Sequence, residues 1–230
     1  MYKRQDIETL KRNAAEKAVE YVKDDMIVGL GTGSTVKYAL QKLAERVKKE
    51  KLKIVGIPTS SGTSKLAKEL GIPLSTLDKY ENIDLTIDGA DEIDENLNLI
   101  KGGGGALTRE KIVASNSKKV IIVADETKIT KKIGISASLP VEILPFGYKA
   151  TMKKIEDLGC ITKLREIMDN PYITDNGNYV VDCDFGGIDE PEELEVTINS
   201  IPGVVENGLF IDLATMAIIG SREGTKTLEK

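Results

Sequence analysis

The stretch MIVGLGTGSTVKYALQKLAERV, residues 26–47, decides how this chain folds. Its opening run, Met26 to Leu30, is short and apolar and meets the glycine turn GTGST directly. Beyond the turn, Val36, Leu40, Leu43 and Val47 recur at the spacing of one helical face. Strand, glycine turn and helix in that order place backbone N–H groups at a helix N-terminus, where an anion such as a phosphate is favoured. The hydroxyls of Thr32, Ser34 and Thr35 would add donors. The turn is not a Walker P-loop, because the GxxxxGK[ST] spacing is missing, and it lacks the third glycine of a dinucleotide fingerprint. Taken alone, it serves equally well as a structural turn.

Outward from this unit the pattern repeats. LKIVGIPTS leads into a helix around Ser64 to Leu70, Ile83 to Ile87 leads into an acidic turn, and KKVIIVADETK supplies another buried strand. Strands alternating with helices argue for an α/β class, with a mainly parallel, Rossmann-like sheet flanked by helices. Upstream, Ile7, Leu10, Ala14, Ala18 and Val22 mark an amphipathic helix that ends at Asp24-Asp25. After about Lys131 the order becomes strand, helix, strand, strand, helix, strand, through VEILPFG, ATMKKIEDLG, ITKLREI, YVVDCDF, PEELEVTINSI and GVVENGLFI. That is the split βαβ, ferredoxin-like order. Gly159 suits a helix C-cap, residues 175–178 a turn, and Pro191 a helix start. The final LATMAIIG reads as a strand returning to the first sheet. The expectation is a catalytic domain of residues 1–131 and 207–230, with a smaller α+β ferredoxin-like domain, residues 132–206, inserted in it.

Composition narrows the chemistry. The chain has 230 residues, 40% of them hydrophobic and 30% charged, with a net charge of -5 that offers no basic field for nucleic acid. It contains no histidine, so proton transfer must fall to Asp, Glu, Lys, Tyr or Cys. Cys160 and Cys183 lack a CxxC partner and read as small buried hydrophobes rather than a disulfide or a zinc site, which makes a reducing cytoplasm the default home. No apolar run approaches the roughly 20 residues needed to span a bilayer, and the charged N-terminus lacks a signal-peptide core, so no membrane association is expected.

The chemistry concentrates in residues 87–111, IDGADEIDENLNLIKGGGGALTREK. Asp88 and Asp91 close a strand, and ligands of such sheets bind outside the carboxyl ends of strands. Lys101, the glycines at 102–105 and Glu110 follow, so a base, a cation and a backbone cradle lie within one short segment. A solvated acidic turn is the plain alternative, since Glu92, Asp94 and Glu95 crowd the same place. A divalent metal is another, although DGADEIDE does not fit an EF-hand loop. The glycines precede the helix-like ALTREKIVAS at once, which suits backbone approaching a ligand better than a flexible linker.

In this order and spacing GTGST, IDGADEID, IKGGGGA with LTREK, and ADETK closely resemble the type A ribose-5-phosphate isomerases, over nearly the whole chain. The resemblance implies reversible conversion of ribose 5-phosphate to ribulose 5-phosphate in the non-oxidative pentose phosphate pathway, without metal or organic cofactor, by a homodimer or homotetramer. It implies Glu110 as proton acceptor. Substrate contacts are implied at Thr32, Gly33, Ser34 and Thr35, at Asp88, Gly89, Ala90 and Asp91, at Lys101, Gly102, Gly103 and Gly104, and at Lys128, with Lys11 reaching the phosphate. Aldose–ketose conversion moves a proton between adjacent carbons through an enediolate, for which a carboxylate base and a cation near the oxyanion suffice. Lys101 suits the cation, and Asp88 and Asp91 suit the sugar hydroxyls. A sugar-phosphate sensor would need a DNA-binding helix-turn-helix that one helix before the first strand does not supply. An acyl or CoA transferase would use its glutamate as a nucleophile, and a metal-dependent isomerase is opposed by the missing histidine and by Lys101.

Overall fold

The computed structural model describes residues 4–80 and 82–230, with side chains from residue 6 onward. The chain begins with α1 (Arg4–Val19), β1 (Met26–Leu30), α2 (Ser34–Lys49), β2 (Ile54–Pro58), α3 (Ser61–Leu70) and β3 (Leu85–Gly89). Two short strands, β4 (Glu92–Ile93) and β5 (Leu99–Ile100), precede α4 (Leu107–Ser115), β6 (Val120–Asp125) and a 3-10 turn (Glu126–Lys128). Then come β7 (Leu139–Ile143), α5 (Tyr148–Glu156), β8 (Ile161–Leu164), the small strands β9 (Glu166–Ile167) and β10 (Asn170–Pro171), and β11 (Tyr179–Asp184). The chain closes with α6 (Pro191–Asn199), β12 (Val204–Asn207), β13 (Leu209–Phe210), β14 (Met216–Ser221) and β15 (Gly224–Glu229). It divides into two compact units.

The first unit runs up to Ala90 and includes Arg109–Ile129 and Asp212–Lys230. Its six-stranded sheet has the order β15-β14-β6-β3-β1-β2 and is parallel except for β15. The order reverses between β1 and β3, which makes their carboxyl ends the switch point where α/β sheets take ligands. The registers Leu30↔Ile87 and Gly89↔Val123 bring the ends of β1, β3 and β6 to one sheet edge. Every residue of β6 is buried, as expected of a parallel strand covered on both faces. Ala14, Ala15 and Ala18 of α1 and Leu40 and Leu43 of α2 pack in one core with Val28, Ile121 and Ile218. The small residues let α1 lie close: a Cβ on Gly220 of β14 would stand 2.0 Å from the Leu10 carbonyl oxygen.

The second unit comprises Asp91–Thr108 and Thr130–Ile211. Its four-stranded antiparallel sheet has the order β12-β7-β11-β8, with α5 and α6 in the ferredoxin-like connection. Val141, Ile143, Ile155, Val181 and Ile198 form its core, and Cys160 and Cys183 sit in that core as free thiols. Gly159, at φ +94°, donates to the Glu156 carbonyl at 2.8 Å just past α5, Gly177 turns the chain at φ +81°, and Pro191 opens α6. The unit also holds a three-stranded sheet, β13-β5-β4. Ladders Leu209↔Ile100 and Glu92↔Ile100 pair these segments with one another, and Ile100 and Leu209 lie in the core of this unit, whereas the sequence pattern places residues 91–108 and 207–211 with the first. Two-residue strands leave no periodicity to read, and β13 lies far along the sequence from its partner β5. No helix among the described residues is long and apolar enough to cross a membrane.

Candidate active site

In the first unit the site is built on the β1–α2 turn. Gly31 donates to the Ile87 carbonyl at 3.0 Å, and the Thr32 N–H donates to Asp88 Oδ1 at 3.0 Å. A Cβ on Gly31 would lie 2.1 Å from that oxygen, so only glycine lets Asp88 lie against the turn. Gly33, at φ +129°, is the N-cap of α2 and makes no side-chain cap, which leaves the first N–H groups of a 16-residue helix facing outward beside Ser34 and Thr35. Ser34 is exposed and Thr35 is buried. The hydroxyl of Thr32 turns inward, to Thr59 Oγ1 at 2.8 Å, Ser60 Oγ at 2.9 Å and Thr63 Oγ1 at 3.1 Å. Thr63 then donates to the Gly31 carbonyl at 2.8 Å. Thus both the N–H and the hydroxyl of Thr32 are used within the protein, the one on Asp88 and the other on the hydroxyl cluster. The hydroxyl cluster that shapes the turn was not singled out from sequence, although the run TSSGTS behind β2 carried the signal.

Asp88, 2% exposed, also accepts from the Gly89 N–H at 2.7 Å, so its Oδ1 is held by two backbone donors. Glu110 lies in the first turn of α4 and is 3% exposed, a buried carboxylate at the helix end that favours negative charge. Lys128 ends the 3-10 turn after β6, on the same sheet edge as Asp88, where Asp125 accepts from Thr127 N at 3.1 Å and Thr127 Oγ1 at 2.5 Å. Lys11 of α1 is held by Glu8 Oε1 at 3.1 Å, while Glu8 Oε2 accepts from the Tyr38 hydroxyl of α2 at 2.5 Å. That hydrogen bond to Glu8 pushes the Tyr38 phenol above its usual range. One carboxylate thereby sets Lys11 beside the opening turns of α2.

Asp91, Lys101 and the glycine run belong to the second unit. Asp91 donates its N–H to the Ile100 carbonyl at 2.8 Å, and its Oδ2 accepts from Gly103 N at 2.8 Å. A Cβ on Gly103 would come within 2.8 Å of that carboxylate. Lys101 is 2% exposed, its N–H donates to the Gly208 carbonyl at 2.9 Å, and its Nζ stands 5.2 Å from the centroid of the Phe210 ring. Gly102 and Gly105 take φ of +102° and +75°, and Gly105 N closes the loop on the Gly102 carbonyl at 2.9 Å. The neighbouring carboxylates are occupied otherwise. Glu92 accepts from the N–H groups of Gly134, Ser136 and Ala137 at 2.5, 2.5 and 2.8 Å, and Asp94 caps the turn through Asn96 N at 2.9 Å and Asn98 N at 2.8 Å. Glu92 and Asp94 are therefore braces of the loops around them. Among the described residues, no group of three or more Cys, Asp or Glu side chains is arranged to hold a metal ion.

Known proteins resemble this chain over nearly its whole length. Residues 55–224 match the family model of ribose 5-phosphate isomerase A (phosphoriboisomerase A). The chain is 50% identical over 226 residues to ribose-5-phosphate isomerase A of Parvibaculum lavamentivorans, covering 95% of this chain and 97% of that one. Among solved structures, D-ribose-5-phosphate isomerase in complex with phospho-erythronic acid superposes with a TM-score of 0.95 at 43% identity, over 97% of this chain and 99% of that one. Ribose 5-phosphate isomerase A of Methanocaldococcus jannaschii superposes with a TM-score of 0.94 at 44% identity, with the same coverage.

Proposed function

This chain belongs to the ribose 5-phosphate isomerase A (phosphoriboisomerase A) family, and from that premise we propose that it interconverts D-ribose 5-phosphate and D-ribulose 5-phosphate through an enediolate, with Glu110 as general base. The observation that carries the assignment of the base is the burial of the Glu110 carboxylate on the opening turn of α4, directly after the glycine loop. The sugar phosphate rests on the outward N–H groups at Gly33, Ser34 and Thr35, with Lys11 supplying charge. Gly89, Ala90, Gly102, Gly103, Gly104 and Lys128 line the sugar, and Asp88 and Asp91 hold its hydroxyls and assist ring opening. Glu110 takes the proton from C2 of the open aldose and returns it to C1, while the proton on O2 is transferred to O1. Lys101 neutralises the oxyanion as it forms, and water exclusion around these buried charges strengthens that interaction. No step calls for a metal or an organic cofactor. Cytoplasmic residence and assembly as a homodimer or homotetramer belong to the same reading, and analytical ultracentrifugation tests the assembly.

The experiment is formation of ribulose 5-phosphate from ribose 5-phosphate in EDTA, with Glu110→Gln alongside. Turnover in the parent should be indifferent to the chelator, and the variant should lose about 10²–10⁴ in kcat while still binding phospho-erythronic acid. A parent that binds the sugar phosphate without converting it would make the protein a sensor instead.

A further inference from the structure

A run of four glycines has more conformational freedom than any other tetrapeptide, so the shape of residues 102–105 must be imposed from outside. Two side chains of the ferredoxin-like part impose it. Arg165 Nη1 donates to the Gly102 carbonyl at 2.9 Å and to the Gly103 carbonyl at 3.1 Å, and the Tyr172 hydroxyl donates to the Gly104 carbonyl at 3.2 Å. The other edge of the guanidinium is fixed by Asp182, whose Oδ2 accepts from Nε at 2.9 Å and whose Oδ1 pairs with Nη2. Their backbones are fixed too. Arg165 N donates to the Val180 carbonyl at 2.8 Å, and Tyr172 N to the Arg165 carbonyl at 2.8 Å. All these residues lie in the second unit.

A trans peptide is planar with its C=O and N–H opposed, so holding three successive carbonyls on one side orients the intervening N–H groups to the other. The Gly103 N–H is taken by Asp91, and those of Gly102 and Gly104 have no intramolecular acceptor among the described residues. Building on the isomerase reading above, we propose that Arg165 and Tyr172 are positioning residues that pre-form the glycine cradle for the sugar. Without them each glycine must be ordered when substrate arrives, which weakens binding and misplaces the reacting carbons. Only arginine suits this place. A lysine keeps the charge, but its compact ammonium cannot hold a carboxylate on one edge and two carbonyls on the other.

A cavity of about 440 Å³ lined by Lys163, Arg165, Glu166, Met168 and Asp182 adjoins the guanidinium, giving a small cation a way in. The test is steady-state kinetics and thermal unfolding of the parent, Arg165→Lys, Tyr172→Phe, and Arg165→Ala with and without millimolar guanidinium chloride. Arg165→Lys should unfold as cooperatively as the parent, yet show a raised KM and a kcat/KM lower by about 10–100-fold. Tyr172→Phe should shift KM the same way by roughly fivefold, the worth of one hydrogen bond. Guanidinium, but not ammonium, should restore part of the Arg165→Ala activity. An active parent with Arg165→Lys and Tyr172→Phe at its own kcat and KM would overturn the proposal alone, and an inactive parent would overturn the isomerase reading with it. If the arginine variants do not fold, an unchanged KM in Tyr172→Phe overturns the proposal and a raised KM supports it.

Discussion

A methyl group on Gly31 would stand 2.1 Å from Asp88 Oδ1 and 2.6 Å from its Cα, so this glycine is where the β1–α2 turn and the acidic strand are fitted together. Gly31→Ala should destabilise the protein by about 1–3 kcal/mol and abolish most turnover, because Asp88 must move, as denaturant titration and initial rates would register. Gly33 differs, since nothing lies within 4 Å of its missing Cβ and only its φ of +129° demands glycine. Lys101→Met keeps the length of a buried side chain and removes its charge. Its kcat should fall by about 10²–10³ with the fold intact, as kinetics beside circular dichroism would reveal. The identities of Asp88, Asp91, Lys101 and Glu110 as candidates were legible in the order of residues. The commitment of Glu92 to three backbone N–H groups was not, because its partners begin 42 residues downstream.

Between elements, single carboxylates act as clamps. Removing the Glu92 side chain as Glu92→Ala would strand the three N–H groups of residues 134–137 and cost at least about 3 kcal/mol, visible as faster amide hydrogen exchange in that segment. Asp84 joins the entrances of β1 and β3: Oδ2 accepts from Ile27 N at 2.9 Å and Oδ1 from Lys118 Nζ at 2.8 Å. The Lys118 ammonium first, and the Ile27 N–H second, hold its carboxyl below the usual carboxylate range. A carboxylate lowered in the folded state contributes stability above its unfolded pKa, about 3.9, and loses it as pH falls through the folded value. Asp84→Asn should therefore cost about 1 kcal/mol at neutral pH, and the gap to the parent should close below about pH 4. Urea midpoints at the two pH values decide it. The helices and longer strands were readable from apolar spacing, whereas β4, β5 and β13 are two residues each and carry no period.

At the scale of the whole chain, the first unit is completed only by its last segment, because β14 pairs with β6 after the second unit has intervened. A chain ended before Asp212 would lack β14 and β15 and expose the edge of the wholly buried strand β6. Such an edge pairs with other chains, so the truncated protein should aggregate rather than form a smaller folded domain, as light scattering would register. By itself the sequence determined the alternation of strands and helices, the ferredoxin-like order, the glycines that need left-handed backbone and the set of residues able to move a proton. These are local properties, written in consecutive residues as periodicity and conformational preference. Only the tertiary structure decided which carboxylates are braces, that residues 91–108 pair within the second unit, and that the glycine loop takes its shape from Arg165, 63 positions from Gly102. A hydrogen bond between residues so distant leaves no trace in their neighbours, because its partners meet only when the intervening chain has folded.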